Sequence, residues 1–132
     1  GGGSDCSETA LIICDKKELL ADIEAKFAAL HIKTFSSPVV ENAALILKEH
    51  HGEISFILCD NDINSGQVTP LNLLSALRKK SAFSDIKFYL FSKGYIDHDS
   101  SLKAGELKVT RVINNFSPSA DLPDILKEVC KK

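Results

Sequence analysis

Two aspartates in this chain each follow directly on an apolar run. Asp15 closes Leu11-Ile12-Ile13-Cys14, and Asp60 closes Phe56-Ile57-Leu58-Cys59. Asn61 and Asp62 come next after Asp60, Ser92 closes Phe88-Tyr89-Leu90-Phe91, and Asn114 and Asn115 follow Val112-Ile113. Wet loops at strand ends account for the asparagines. They account less well for two acids placed immediately after runs of this kind. Two carboxylates beside a hydroxyl offer hard oxygen ligands, the type Mg²⁺ takes while keeping several of its waters. A carboxylate can also attack phosphorus to give an aspartyl phosphate, which needs in-line positioning and cations near the developing charge. On that chemistry Asp60 is placed for attack, Asp15 for holding the metal, and Ser92 for hydrogen-bonding a phosphoryl oxygen. A fixed positive side chain at the end of the last strand is missing.

Other chemistries find less support. A phosphate-binding loop after the first strand should be rich in Gly, Ser and Thr, so that backbone N–H groups face the anion. The chain has Asp15-Lys16-Lys17-Glu18 there, and neither a G-x-G-x-x-G nor a Walker A pattern occurs. Cys6, Cys14, Cys59 and Cys130 are widely spaced, with no C-x-x-C and no His at ligand distance. Cys14 and Cys59 each precede a site aspartate, so strand alternation turns each away from it. Both are expected to be buried small hydrophobes, unpaired. His98 is expected to face solvent, and no nucleophile–base pair of an independent enzyme is evident.

The elements that must position these residues alternate along the chain. Continuous apolar runs at Ala10–Cys14 and Ile54–Cys59 read as strands buried on both faces. Ile32–Phe35, Ile86–Phe91 and Val109–Ile113 complete five strands. Between them lie helical stripes: Leu19, Leu20, Ile23, Phe27 and Leu30 in the first, and Leu71, Leu74 and Leu77 in the third. Ser37-Pro38 and Thr69-Pro70 read as N-caps followed by N1 prolines. Tyr95–Leu107 is the most weakly patterned helix, and Asp121–Val129 closes the chain. Strict β-α alternation predicts a doubly wound α/β fold, a five-stranded parallel sheet of order 2-1-3-4-5 with helices on both faces. In such a sheet ligands bind outside the carboxyl ends of the strands, where Asp15, Asp60, Ser92 and Asn114 fall.

The 132 residues suffice for one core, and 44% hydrophobic with 26% charged residues is ordinary for a globular chain. A net charge of −2 with both signs scattered offers no basic face for nucleic acid, and no apolar run is long enough for a bilayer. The absence of Met, even at position 1, predicts a domain excised from a longer protein. Residues 1–8 then form a linker or tag remnant and residues 9–132 the domain. A reducing, cytoplasmic setting is expected.

From Thr9 to Val129 the chain resembles the receiver domains of two-component signalling. The resemblance rests on the acid of LIICD (Asp15), the acid of FILCD (Asp60) and the hydroxyl of YLFS (Ser92). The interval from Ser92 to Asn114 and the aromatic Phe116 add to it. It implies a receiver or flavodoxin-like fold with Asp60 as phosphoacceptor and Ser92 as switch hydroxyl. Weakly bound Mg²⁺ would be held by Asp15, Asp60 and the backbone carbonyl of Asp62. It also implies a histidine kinase or phosphotransfer protein as partner, an output domain or hybrid kinase in the parent chain, and a possible homodimer. The departures are specific. Cys14 stands where the family has a second acid, and Lys16 follows Asp15. Asn114 and Asn115 replace the family's lysine and proline, the loop from Asp60 to Gly66 has no proline, and Arg111 replaces the switch aromatic. Lys16 or Lys93 could supply the lost charge, although lysines near strand ends are more often solvated. Two functions follow: a phosphorelay receiver degenerate at the lysine and acidic-pair positions, or a pseudo-receiver that binds proteins without phosphoryl chemistry.

Overall fold

The computed structural model describes residues 7–130; Cys6 and most of the expected linker lie outside that range. Five strands alternate with five helices: β1 (Thr9–Ile13), α1 (Lys17–Ala29), β2 (Lys33–Ser37), α2 (Val40–Glu49), β3 (Phe56–Asp60), α3 (Pro70–Arg78), β4 (Lys87–Phe91), α4 (His98–Glu106), β5 (Arg111–Ile113) and α5 (Pro118–Val129). The sheet is parallel throughout and ordered β2-β1-β3-β4-β5, as the alternation predicts.

Strand alternation splits the core in two. Ala10, Ile12, Phe56, Leu58, Tyr89 and Phe91 point to the side covered by α1 and α5, against Ile23, Phe27, Leu122 and Ile125. Leu11, Ile13, Ile57, Phe88 and Leu90 point to the side of α2, α3 and α4, against Leu47, Leu74 and Ala104. Burial of the three central strands on both faces explains their unbroken apolar runs. Cys14 and Cys59 fall on opposite sides, both buried and both free thiols, as expected.

The helix boundaries differ from the sequence reading at instructive places. Ser37-Pro38 does not open α2; the N-cap is Val39. Ser37 is instead the last residue of β2, paired with Ile13, and its carbonyl accepts the Cys14 N–H. Its hydroxyl bonds Val39 on both backbone groups, so the serine closes a turn. Thr69 does cap α3, accepting the Asn72 N–H. On α3 the buried leucines are Leu73, Leu74 and Leu77, with Leu71 only half-buried. Helix α4 buries Ala104 alone and is held at its start by Asp97, which accepts the Ser100 N–H.

At the opposite end of the sheet from Asp60, Arg78 closes the fold. Its guanidinium donates to the carbonyls of Phe83, Ser84 and Ile86 before β4, and of Leu107 and Lys108 before β5. Lys108 has a left-handed backbone (φ 60°), which one of these bonds secures. A lysine cannot supply this planar fork of donors. Arg78→Lys and Arg78→Met are each expected to lower the unfolding free energy by about 2–4 kcal/mol, because both leave half-buried carbonyls short of donors. Urea unfolding at an unchanged slope measures this. A loss below ~0.5 kcal/mol would show the clamp to be dispensable.

Candidate functional site

The carboxyl ends of β1, β3 and β4 bring Asp15, Asp60, Asp62 and Ser92 into one cluster, and Lys16 holds it together. Asp60, the last residue of β3, is fully buried. Its Oδ1 accepts the Asp62 N–H at 2.8 Å, and its Oδ2 lies 2.8 Å from Lys16 Nζ. Lys16 Nζ also reaches Asp15 Oδ1 at 3.1 Å and donates to the Asp62 carbonyl at 2.9 Å. The ammonium hydrogen-bonds Asp15 Oδ1 and the Asp62 carbonyl and forms an ion pair with Asp60 Oδ2, so two stretches of chain, residues 15–16 and 60–62, meet at one cation.

Around this centre the remaining acceptors are filled. Asp15 Oδ2 takes the Asn64 N–H at 2.9 Å and the Ser65 hydroxyl at 3.0 Å. The Ser92 hydroxyl donates to Asp62 Oδ2 at 2.6 Å and accepts the Gly94 N–H at 3.0 Å. Ser92 is itself pinned by its backbone, which bonds the Ile113 carbonyl and the Phe116 N–H. The loop after Asp60 is held from α2 by Glu41, whose Oε2 accepts the Gln67 N–H at 2.7 Å. Gly66 has φ 79°, and a Cβ there would lie 2.5 Å from Glu41 Oε1, so only glycine permits this approach.

Electrostatics follow the geometry. Burial pushes the Asp15 pKa up, but the Asn64 N–H, Lys16 and the Ser65 hydroxyl outweigh it and hold the carboxyl below its ordinary 3.8. Burial depresses the Lys16 pKa, and its bonds to Asp60 and Asp15 more than offset this, leaving it raised. Cys14 turns away from Asp15, but its Sγ lies 3.8 Å from Asp60 Oδ2 on the neighbouring strand. Burial is the main cause that pushes its thiol up to about 11, and the nearby Asp60 charge adds to it.

The other residues singled out from the sequence are engaged elsewhere. The Asn114 carboxamide oxygen accepts the Ile96 N–H at 2.8 Å and so ties down the loop before α4. Asn115 takes a left-handed backbone (φ 52°) and donates to the Gly94 carbonyl. Arg111 lies over the Tyr89 ring at 5.9 Å, with Glu128 Oε1 at 3.7 Å from its Nη2; that carboxylate also accepts the Tyr89 hydroxyl at 2.8 Å. Phe116 is buried and packs on Phe91 with ring centres 4.2 Å apart. Lys93 is exposed and lines an open depression with Lys16, Lys17 and Asp22, a depression that Asp60 does not line.

The set Asp15, Asp60 and Asp62 carbonyl is of the oxygen type Mg²⁺ prefers, but the ion needs six oxygens at about 2.0–2.1 Å around a single point. Lys16 Nζ stands among one oxygen of each. While it does, a divalent ion does not fit. Among the described residues there is no group of three or more His, Cys, Asp or Glu arranged to hold a metal.

No family model and no curated protein matches the sequence. Solved structures match the fold. Chemotaxis protein CheY4 of Vibrio cholerae superposes with a TM-score of 0.78 over 93% of this chain and 98% of its own, at 13% identity. The non-phosphorylated HemR receiver domain of Leptospira biflexa gives 0.79 over 96% of each chain at 13% identity. The beryllofluoride-activated receiver domain of Klebsiella pneumoniae RstA gives 0.77 over 95% of this chain and all of its own, at 17% identity. The chain therefore has the receiver fold.

Two measurements check this geometry. A carboxyl with a depressed folded pKa contributes stability above its unfolded pKa and loses it as pH falls through the folded value. The stability advantage of the wild-type chain over Asp15→Asn should therefore be full near neutrality and shrink as pH drops below the ordinary 3.8. An advantage that stays constant into acid would contradict the Asp15 contacts. Cys14 and Cys59 should react with a thiol reagent only on the timescale of unfolding, and rapid native labelling of both would show the strand register to be wrong.

Proposed function

We propose that this domain is a pseudo-receiver of two-component signalling, a receiver fold that serves as a protein-interaction module without phosphoryl chemistry. The observation that carries the reading is the state of Asp60. Its carboxylate is fully buried, one oxygen is held by a backbone N–H, and the other faces the Lys16 ammonium. An attacking carboxylate needs an open in-line approach and cations arranged around the incoming phosphoryl group. Here the cation is spent on Asp60 itself.

Three further features support it. Asn114 can offer only a neutral group where the resemblance expects a lysine, and its carboxamide oxygen is committed to Ile96. Arg111, at the position of the switch aromatic, is stacked on Tyr89 and faces Glu128. The Ser92 hydroxyl is already taken by Asp62. On this reading the partners are proteins: a histidine kinase or phosphotransfer protein bound without transfer, an output domain of the parent chain, or a second copy. A cytoplasmic location goes with such partners. Among the described residues no helix is long and apolar enough to cross a membrane.

The phosphorelay reading keeps one specific support, since Asp15, Asp60 and Ser92 do meet at one end of the sheet. Acetyl phosphate separates the two. Incubated with it and Mg²⁺, the wild-type chain should gain no phosphoryl group by intact mass, and beryllofluoride should leave the amide spectrum around Asp60 and Ser92 unchanged. Rapid stoichiometric modification that Asp60→Asn abolishes would establish the phosphorelay receiver instead.

A further inference from the structure

We infer that Lys16 is the resident cation of this site: its ammonium replaces a divalent ion, so the chain carries only a latent divalent-cation site, which removing the Lys16 charge opens. The inference deepens the pseudo-receiver reading and takes its meaning from it, while its own ground is the disagreement between the oxygens present and the group that occupies them.

The fit of Lys16 is closer than a surface ion pair requires. Exposed pairs join two flexible side chains across solvent. Here Asp60 is buried, and the Asp62 contact is a backbone carbonyl fixed by the loop. Three oxygens surround the ammonium at 2.8, 2.9 and 3.1 Å, two of them as hydrogen-bond acceptors and the Asp60 oxygen as its ion-pair partner. A lysine head is a compact point charge without the fork of an arginine, which makes it the side chain closest to a bare cation. The outward oxygens of Asp15 and Asp60 are satisfied by Asn64, Ser65 and Asp62, so these ligands stay aimed inward whatever fills the centre.

The consequences reach beyond the centre. Lys16 draws in the Asp62 carbonyl, and the Asp62 carboxylate in turn takes the Ser92 hydroxyl, which accepts the Gly94 N–H. One side chain on the β1–α1 turn thereby fixes the loops that follow β3 and β4. Lys16→Gln and Lys16→Met delete the charge and leave a carboxylate of Asp15, a carboxylate of Asp60 and the Asp62 carbonyl around an open position. Those are hard oxygens of the sort Mg²⁺ and Mn²⁺ take together with water.

The test is a metal titration of the whole domain at fixed ionic strength. In the wild-type chain the amides of Asp15, Asp60 and Asp62 should show no saturable response to Mg²⁺. In Lys16→Gln they should shift with at least about tenfold tighter binding, and Mn²⁺ should broaden the same amides. Mg²⁺ should also restore melting temperature lost by the variant, without raising that of the wild type. A packing role for Lys16 would not produce metal rescue. Equal affinity in wild type and variants overturns the inference, and so does absence of binding in both. If the variants fail to fold, the wild-type chain carries the test. Amine acylation should then spare Lys16 relative to the exposed Lys17 and Lys93, and labelling at the same rate overturns the inference. Phosphorylation of the wild-type chain would sink the pseudo-receiver reading, yet leave this metal comparison to be decided on its own.

Discussion

A carboxylate buried at the end of a central strand must be neutralised, and the upper end of this molecule is organised around that requirement. Asp60 has no access to water, and β3 is flanked by β1 and β4, so the compensating groups must come from the loops. Burying an ion costs several kcal/mol unless a partner and hydrogen bonds replace its water. The Asp62 N–H serves one oxygen and Lys16 the other. Lys16 can do so only because α1 begins at Lys17 and leaves residue 16 extended at the helix N-cap, close to the strand ends.

The departures from the receiver pattern then become consistent with one another. The pattern this chain resembles sets two acids after β1 beside the phosphoacceptor, with a lysine after β5. Here one of those acids is Cys14, the lysine after β5 is Asn114, and a lysine stands after β1. Asp15, Asp60 and Lys16 together leave a single negative charge, where three acids and one lysine would leave two. A cluster with less charge has less need of a divalent ion, and a thiol adds none beside Asp60, because burial keeps Cys14 protonated. These substitutions are changes to one electrostatic balance, so none of them stands alone.

Much of this was legible in the sequence. Apolar runs closed by Asp15, Asp60 and Ser92 marked the buried strands and the carboxyl end of the sheet where these side chains meet, because burial on both faces leaves few polar residues within a strand. Long side chains were less legible. Lys16 bridges residues 44 and 46 positions away from it, and Arg78 reaches carbonyls of two later loops; a local pattern encodes neither. Lys16 could be named as a candidate charge but not assigned three acceptors. Ser37 misled because serine before proline suits both a helix cap and the end of a strand, and pairing with β1 decided it. Asn114 could be placed at the correct strand end, but its bond to Ile96 depends on the path of a loop.

The same contacts bear on whether the domain could switch. A receiver-type switch needs a hydroxyl free to move towards a modified aspartate and a strand-end aromatic free to follow it. Ser92 is tied to Asp62 and Gly94, and Arg111 lies over the Tyr89 ring and beside Glu128, which the Tyr89 hydroxyl also bonds. The α4 region, by contrast, has little hydrophobic anchoring, with Ala104 alone buried in the helix and Tyr95 and Leu102 exposed. Its position comes from Ile96, buried in the core just before the helix, and from polar ties: the Asp97 cap, the Asn114 bond to Ile96 and the Asn115 bond to Gly94. Residues that depart from the receiver pattern thus hold the segment that a switch would have to release. In the proposed reading the domain therefore offers its partners one constant surface rather than two alternating ones.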